Sequence, residues 1–214
     1  MSTIIDDVHE VTLKELRDEA LSIYDSIWEQ ARALDRDVKI YLHWTAGRYH
    51  QFWSPYHIQI DKDGEIYRNE LLDLDDPGDG TWLRNTGAIN ITLLGCFDTT
   101  TNRKGSNPPT EAQIEAMSRV ITVLADALDL TIDIKHVMTH GEAADNDDDY
   151  WGAYDEDDCY GPKNGWERWD LEILWMDKSW YADPYDEGSR GGDVLRGKAN
   201  WYRSTYGVGN TAEK

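Results

Sequence analysis

The run from Ala88 to Leu94, AINITLL, places Ile89, Ile91 and Leu93 on one face and stops at Gly95. A period of two over a short apolar run is the pattern of a β-strand, and a strand this apolar belongs at the centre of a sheet. The flanking segments supply its partners and its cover. Thr12-Leu13-Lys14-Glu15 has the form of a capping box. Apolar residues follow at Leu13, Leu16, Ala20, Ile23, Tyr24, Ile27, Ala31 and Leu34 with helical spacing. This predicts one amphipathic helix of about six turns.

Val38, Ile40 and Leu42 alternate with Lys39, Tyr41 and His43, which predicts a strand whose last histidine faces away from Ile40 and Leu42. Tyr56 to Ile60, the turn Asp61-Lys62-Asp63-Gly64 and Glu65 to Arg68 read as a β-hairpin. A second capping box, Thr110-Glu111-Ala112-Gln113, opens a helix carrying Ile114, Met117, Ile121, Leu124 and Leu128. A short strand around Ile132 to Met138 leads to Thr139-His140. Helix, strand, hairpin, strand, helix, strand is an α/β order shared by many domains.

The composition narrows the partners. Lys+Arg 21 against Asp+Glu 42 gives a formal charge of -21, which repels nucleic acid and anionic membrane surfaces. No apolar run approaches the roughly 20 residues that span a bilayer, and MSTIIDDVHE lacks the basic and apolar regions of a signal peptide. Cys96 and Cys159 are too few for a disulfide framework and leave the redox compartment open. Ten tryptophans and twelve tyrosines against two phenylalanines favour rings with a polar handle, suited to wet grooves and to partly buried surfaces alike. The stretch DNDDDYWGAYDEDD, from Asp145 to Asp158, reads as a solvated loop unless a cation neutralises it, and it lacks the Asp-x-Asp-x-Asp-Gly spacing of a calcium loop. Beyond Met176 the chain turns rich in Gly, Ser and Asp before aromatics return in GGDVLRGKANWY. The expected organisation is a domain over 1–176 with an N-terminal helix, and a tail over 177–214 that is a docked extension or a small accessory element.

Histidines and carboxylates at strand ends and in loops are the usual ligands of a catalytic zinc site with one open position. His43 ends the first strand, His140 follows the last, and Asp170 lies in GWERWDLEILW. Composition alone does not single them out from other histidines and acids.

The ordered set LHWTAG, PYHIQIDKDGEIYRN, NTGAINITLLG, VMTHGEAA and ERWDLEIL resembles the zinc-dependent N-acetylmuramoyl-L-alanine amidases, a family that includes phage lysozyme-type amidases and peptidoglycan recognition proteins. The likeness runs from about Val38 to Met176. It implies a mixed central β-sheet flanked by helices, with zinc at the base of a surface groove and peptidoglycan or a muropeptide as partner. It implies His43 and His140 as zinc ligands and a Cys or Asp as the third, which Arg168-Trp169-Asp170 matches. Cys159 is the rival third ligand, because the acidic insertion lengthens the gap from His140 to Asp170. Tyr56 corresponds to a tyrosine beside the metal, and Glu142 to the acid of the His-x-Glu pattern.

Two further departures bear on the implied mechanism. Thr92 stands where some bacterial relatives carry a catalytic glutamate, and a threonine is no general base at neutral pH. Arg168 stands where lysine is common, and an arginine stabilises negative charge without shuttling a proton. Zinc then supplies the nucleophile and the electrophile, with Arg168 and the Tyr56 hydroxyl facing the oxyanion. The proton moves through water at the metal, Tyr56 or Glu142, unless Glu142 only orients a ligand. Trp44, Trp53, Trp82 and Arg84 flank the matching segments and are candidates for a groove that binds sugar and peptide, the alternative for each being ordinary packing. His57 is expected to be structural, and His9, His50 and His136 lack a motif context. The expectation is a monomeric enzyme made without a signal peptide, cytoplasmic at synthesis, acting on the wall after phage-type release or on recycled wall fragments. The alternative is a non-catalytic peptidoglycan-binding module on the same fold.

Overall fold

A computed structural model describes residues 2–81, 83–100, 103–146, 170–174 and 190–213. Two N-terminal strands that the sequence reading left out, β1 (Ile4–Ile5) and β2 (Val8–Glu10), precede helices α1 (Leu13–Ser22) and α2 (Tyr24–Arg32). Strand β3 (Lys39–Trp44) follows, then β4 (Phe52–Trp53) and the hairpin strands β5 (Ile58–Ile60) and β6 (Ile66–Asn69). Strand β7 (Ala88–Leu93), helix α3 (Glu111–Ala127), strand β8 (Val137–Thr139) and the short helix α4 (His140–Asp145) complete the central part. Helix α5 (Gly191–Tyr206) and a 3-10 turn at Thr211–Glu213 lie near the C-terminus.

Among the described residues six strands form one mixed sheet in the order β2-β6-β5-β7-β3-β8, while β1 and β4 pair separately. Strand β7 is internal, as its composition predicts, and runs parallel to both β5 and β3. The hairpin strands β5 and β6 are antiparallel, and β8 adds to β3 in parallel at the sheet edge. Alternation divides the two faces. Ile40, Leu42, Ile89, Ile91 and Leu93 enter the main core with Leu16, Ile27, Ile114, Met117 and Leu124 from the helices. On the opposite face Tyr41 packs with Met138 and Ala143, and the polar His43, Asn90 and Thr92 are fully buried. The sheet thus carries a helical core on one side and a polar floor on the other.

The predicted six-turn helix is two helices. Its capping box at Thr12 and Glu15 is present. The ladder breaks at Ile23, whose φ of -100 and ψ of 4 leave the helical region. The Ser22 hydroxyl donates to the Glu19 carbonyl at 2.7 Å, a local bond that competes with the helix ladder. Leu34 lies beyond α2 and is 51% exposed, so it does not extend the apolar stripe. Helix α3 follows the prediction closely. Its box of Thr110 and Gln113 is formed, and Ile114, Met117, Ile121, Leu124 and Leu128 are buried. Helix α5 packs against α3, and the 3-10 turn contacts α1 and α3. Among the described residues no helix is long and apolar enough to cross a membrane.

Burial assigns unequal stability to these positions. Ile91→Ala, in the middle of β7, should lower the free energy of unfolding by about 2–5 kcal/mol. Leu34→Ala should change it by no more than about 0.5 kcal/mol. Urea denaturation of the two variants checks this, and equal losses would contradict the placement of β7 at the sheet centre.

Candidate metal centre

His43 and His140 are brought together by strand register. Leu42 pairs with Thr139 across β3 and β8, so the next residue on each chain is a histidine at the carboxyl end of a parallel strand. Ligand sites in open parallel sheets form at such ends. The two rings have centroids 4.9 Å apart at an interplanar angle of 70°. Asp170 comes from far along the chain and places Oδ2 at 3.5 Å from His140 Nδ1 and 3.8 Å from His43 Nδ1. One ligand atom from each of the three lies within 4.8 Å of the others. The His43 side chain is 0% exposed, but His140 keeps 17% and Asp170 16%, so the trio is reached from solvent on the His140 and Asp170 side.

The protonation pattern suits a cation. His43 Nε2 lies 2.9 Å from Asn90 Oδ1, an acceptor, which assigns the ring proton to Nε2 and leaves Nδ1 with a lone pair. That Nδ1 is buried and, among the described residues, has no hydrogen-bond partner. Burial lowers the His43 pKa and outweighs the raising effect of Asp170, so the imidazole is neutral and free to ligate. Burial would raise Asp170, but His140 and His43 outweigh it and hold its carboxyl well below the usual carboxylate range. Two imidazoles and a carboxylate are a zinc-type donor set. With metal bonds of about 2.0–2.2 Å, tetrahedral ligands stand roughly 3.3–3.6 Å apart, close to the 3.5 and 3.8 Å that separate Asp170 Oδ2 from the two imidazole nitrogens. The residues therefore fit a zinc ion.

A network that the sequence reading missed orients His43. Asn90 Oδ1 also accepts the Thr81 hydroxyl at 3.1 Å, and Asn90 Nδ2 donates to Asn85 Oδ1 at 3.2 Å. Gly80 lets this loop close over the pair, since a Cβ there would stand 2.7 Å from Asn90 Oδ1 and 3.1 Å from His43 Nε2. Asn90 follows the alternation of β7 on the polar face, and that placement was the available signal. The Asn90 amide N–H donates to His57 Nδ1 at 2.9 Å, and His57 Nε2 donates to the Asp76 carbonyl at 2.8 Å. His57 is thus a satisfied buried histidine, as expected.

Tyr56 precedes β5 instead of lying on a hairpin strand, and its ring centroid is 5.2 Å from that of His43. Asn69 of β6 holds this loop by donating to the Ser54 and Tyr56 carbonyls at 3.1 and 3.2 Å. Burial, and then the charge of Asp170, push the Tyr56 hydroxyl well above its ordinary pKa, so it remains a donor. Thr92 pairs with His43 across β7 and β3 and is fully buried.

Other expected site residues fall elsewhere. Glu142 is 1% exposed, and its two oxygens pair with Arg196 at 2.7 and 2.8 Å. It also completes a capping box with Thr139 at the start of α4. A carboxylate committed in this way has surroundings that fix it in place, an arrangement that suits the orienting role given as its alternative. Trp44 is 5% exposed within the main core, and Arg84 is 3% exposed and donates to the Ala143 carbonyl. Neither lines an open groove. Trp53 is partly buried in β4, with its backbone clamped by the Gln59 amide at 2.8 and 2.9 Å. His9, His50 and His136 pair with Glu70, Asp61 and Asp133, away from the trio. Trp82, Arg168, Cys159 and residues 147–158 of the acidic stretch lie outside the described residues.

The sequence profile of the N-acetylmuramoyl-L-alanine amidase family matches residues 31–161, well over half of the chain. That span holds His43, Tyr56 and His140 and ends short of Asp170. No curated protein sequence matches the chain. Similar solved structures include the endolysin N-acetylmuramoyl-L-alanine amidase LysCS from Clostridium intestinale URNW, at 20% identity, covering 49% of this chain and 68% of that one with a TM-score of 0.37. The N-acetylmuramoyl-L-alanine amidase LysC from the same organism is 19% identical over 61% of this chain and 80% of its own, with a TM-score of 0.38. PGRP-Hd from Alvinella pompejana is 18% identical over 49% and 72%, with a TM-score of 0.35.

His57 makes the surroundings of the site sensitive to acid. Burial holds its pKa down at about 4, against 6.5 in an open chain. Above pH 6.5 both states are neutral and the group adds no slope. As pH falls from 6.5 to about 4, the unfolded chain takes up a proton that the native state refuses, so stability is lost across that window. His57→Gln should flatten the loss of urea stability between those two pH values. An unchanged slope would contradict this role.

Proposed function

The chain belongs to the N-acetylmuramoyl-L-alanine amidase family, and from that premise we propose that it is a zinc-dependent hydrolase. Its substrate is the amide that joins N-acetylmuramic acid to the first L-alanine of the peptidoglycan stem peptide. The observation that carries this reading is the convergence of His43, His140 and Asp170, with the His43 Nδ1 lone pair buried and unused. When bound there, zinc supplies Lewis acidity toward the amide carbonyl and brings the pKa of water down toward neutrality.

The protein's own groups do the rest of the work. Asn90 fixes the His43 tautomer and ring plane, and the ionised Asp170 offsets part of the cation's charge. Amide hydrolysis places negative charge on the former carbonyl oxygen, and the Tyr56 hydroxyl, kept protonated by burial and by Asp170, is a donor suited to stabilise it. With its pKa raised, the phenol stays protonated at neutral pH and no phenolate is available as a base, so Tyr56 acts by donation. Thr92 offers no carboxylate, and the Glu142 carboxylate is held by Arg196. Asp170, whose carboxyl is held well below the usual carboxylate range, is no base either, so the proton lost by water passes to the leaving nitrogen, and Arg168 is the further cation proposed to face the oxyanion.

Wild-type protein should hold one zinc per chain and release stem peptides from purified sacculi, seen as new L-alanine amino termini. Asp170→Ala should lose both metal and activity, while Cys159→Ala should keep both. Tyr56→Phe should keep zinc and lose about 100-fold in kcat, in line with loss of an oxyanion donor. Cleavage of intact sacculi places the enzyme with wall-degrading endolysins, and cleavage of soluble muropeptides alone places it with recycling enzymes. Sacculus binding without zinc or cleavage would overturn the enzyme reading in favour of a binding module.

A further inference from the structure

We propose that helix α5 is a positioning element for the metal centre, holding the backbone on both sides of His140 and the backbone directly after Asp170. The inference rests on the reading of that trio as a zinc site. Arg196, 6% exposed, reaches from α5 to the edge strand β8 and to α4 at once. Its Nη1 donates to the Val137 carbonyl at 2.9 Å and to Glu142 Oε2 at 2.7 Å, and its Nη2 donates to Glu142 Oε1 at 2.8 Å. Val137 lies three residues before His140 and Glu142 two after it. Glu142 in turn accepts the Thr139 N–H at 2.9 Å, so one buried guanidinium ties down the whole turn that presents the second histidine.

The N-terminal end of α5 performs the same task for the third ligand. Arg190 pairs with both Glu172 oxygens at 2.9 and 2.7 Å, and the Gly191 N–H donates to the Glu172 carbonyl at 3.1 Å. Leu171, the residue directly after Asp170, has a φ of 62, a left-handed conformation that a leucine adopts only when its surroundings impose it. Gly191 packs directly against this residue, since a Cβ there would collide with the Leu171 carbonyl oxygen. Gly192 likewise lies against Glu142, since a Cβ there would strike both carboxylate oxygens. Leu171 and Leu174 are buried in the same cluster as Val194 and Leu195 of α5. The helix therefore packs on the segments that carry two of the three ligands and fits each of them closely.

A helix that only stabilised the domain would not need its polar contacts at those points. Arg203 of α5 serves as the internal comparison, because it donates to Asp126 at 2.7 Å and to the Leu130 carbonyl at 3.1 Å, on α3 and the turn after it. The test uses the full chain and reads zinc affinity by competition with a chromophoric chelator, alongside unfolding of the zinc-free protein. Arg196→Met and Arg190→Met should remain folded and bind zinc about 10-fold more weakly, the low end of what removing a direct outer partner of a ligand costs, because each arginine holds the backbone beside a ligand and not the ligand itself. Arg203→Met should lower the stability of the zinc-free protein and bind zinc like the wild type. If Arg196→Met does not fold, Arg190→Met, whose ion pair is partly exposed, decides alone. Folded variants at 190 and 196 with wild-type zinc affinity would overturn the proposal, as would an equal loss of affinity in Arg203→Met. A wild-type protein that takes up no zinc would overturn the metal-centre reading itself, and this proposal with it.

Discussion

The parallel register of β3 with β8 is the constraint on which the site depends. Because Leu42 faces Thr139, the chain delivers two histidines side by side where the two strands end. A slip of one residue would turn His43 onto the helical face and bury it among isoleucines. The polar floor on the other side of β3 and β7 then becomes intelligible. His43, Asn90 and Thr92 tolerate full burial because strand alternation groups them, and because Asn90 meets both the His43 ring and the Thr81 hydroxyl.

The third member of the trio has a different origin. Asp170 is separated from His140 by a long acidic stretch, and no strand register determines where it goes. Its position follows from tertiary contacts of Leu171, Glu172 and Leu174 with α5. The centre is thus part sheet, part clamp. His43 and His140 come with the fold, whereas Asp170 comes with the docking of a helix near the C-terminus.

That division explains what was legible in the sequence. The strand of Ala88 to Leu93, the hairpin and helix α3 were read from periodicity and capping boxes, all of which are local signals. The break at Ile23 escaped because an unbroken apolar stripe does not report a serine hydroxyl competing for a helix carbonyl. Thr139-His140-Gly141-Glu142 carries the same capping pattern that located α1 and α3, and reading it so would have marked Glu142 as a structural acid. Trp44 and Arg84 are candidates for a groove only because they flank matching segments, with ordinary packing as the alternative for each. Position beside a motif says nothing about which way a side chain turns, and both turn inward. The Arg196 contact spans more than fifty residues and left no trace in spacing.

The central claim is that two histidines and an aspartate form one zinc site. Zinc K-edge X-ray absorption on the loaded protein tests it most directly, because it reports the ligand atoms themselves. The account predicts a shell of nitrogen and oxygen only, at about 2.0–2.2 Å, with imidazole scattering from two histidines. A sulfur scatterer at about 2.3 Å would contradict it, since the third ligand would then be a cysteine and the place of Asp170 beside His43 and His140 would need another explanation.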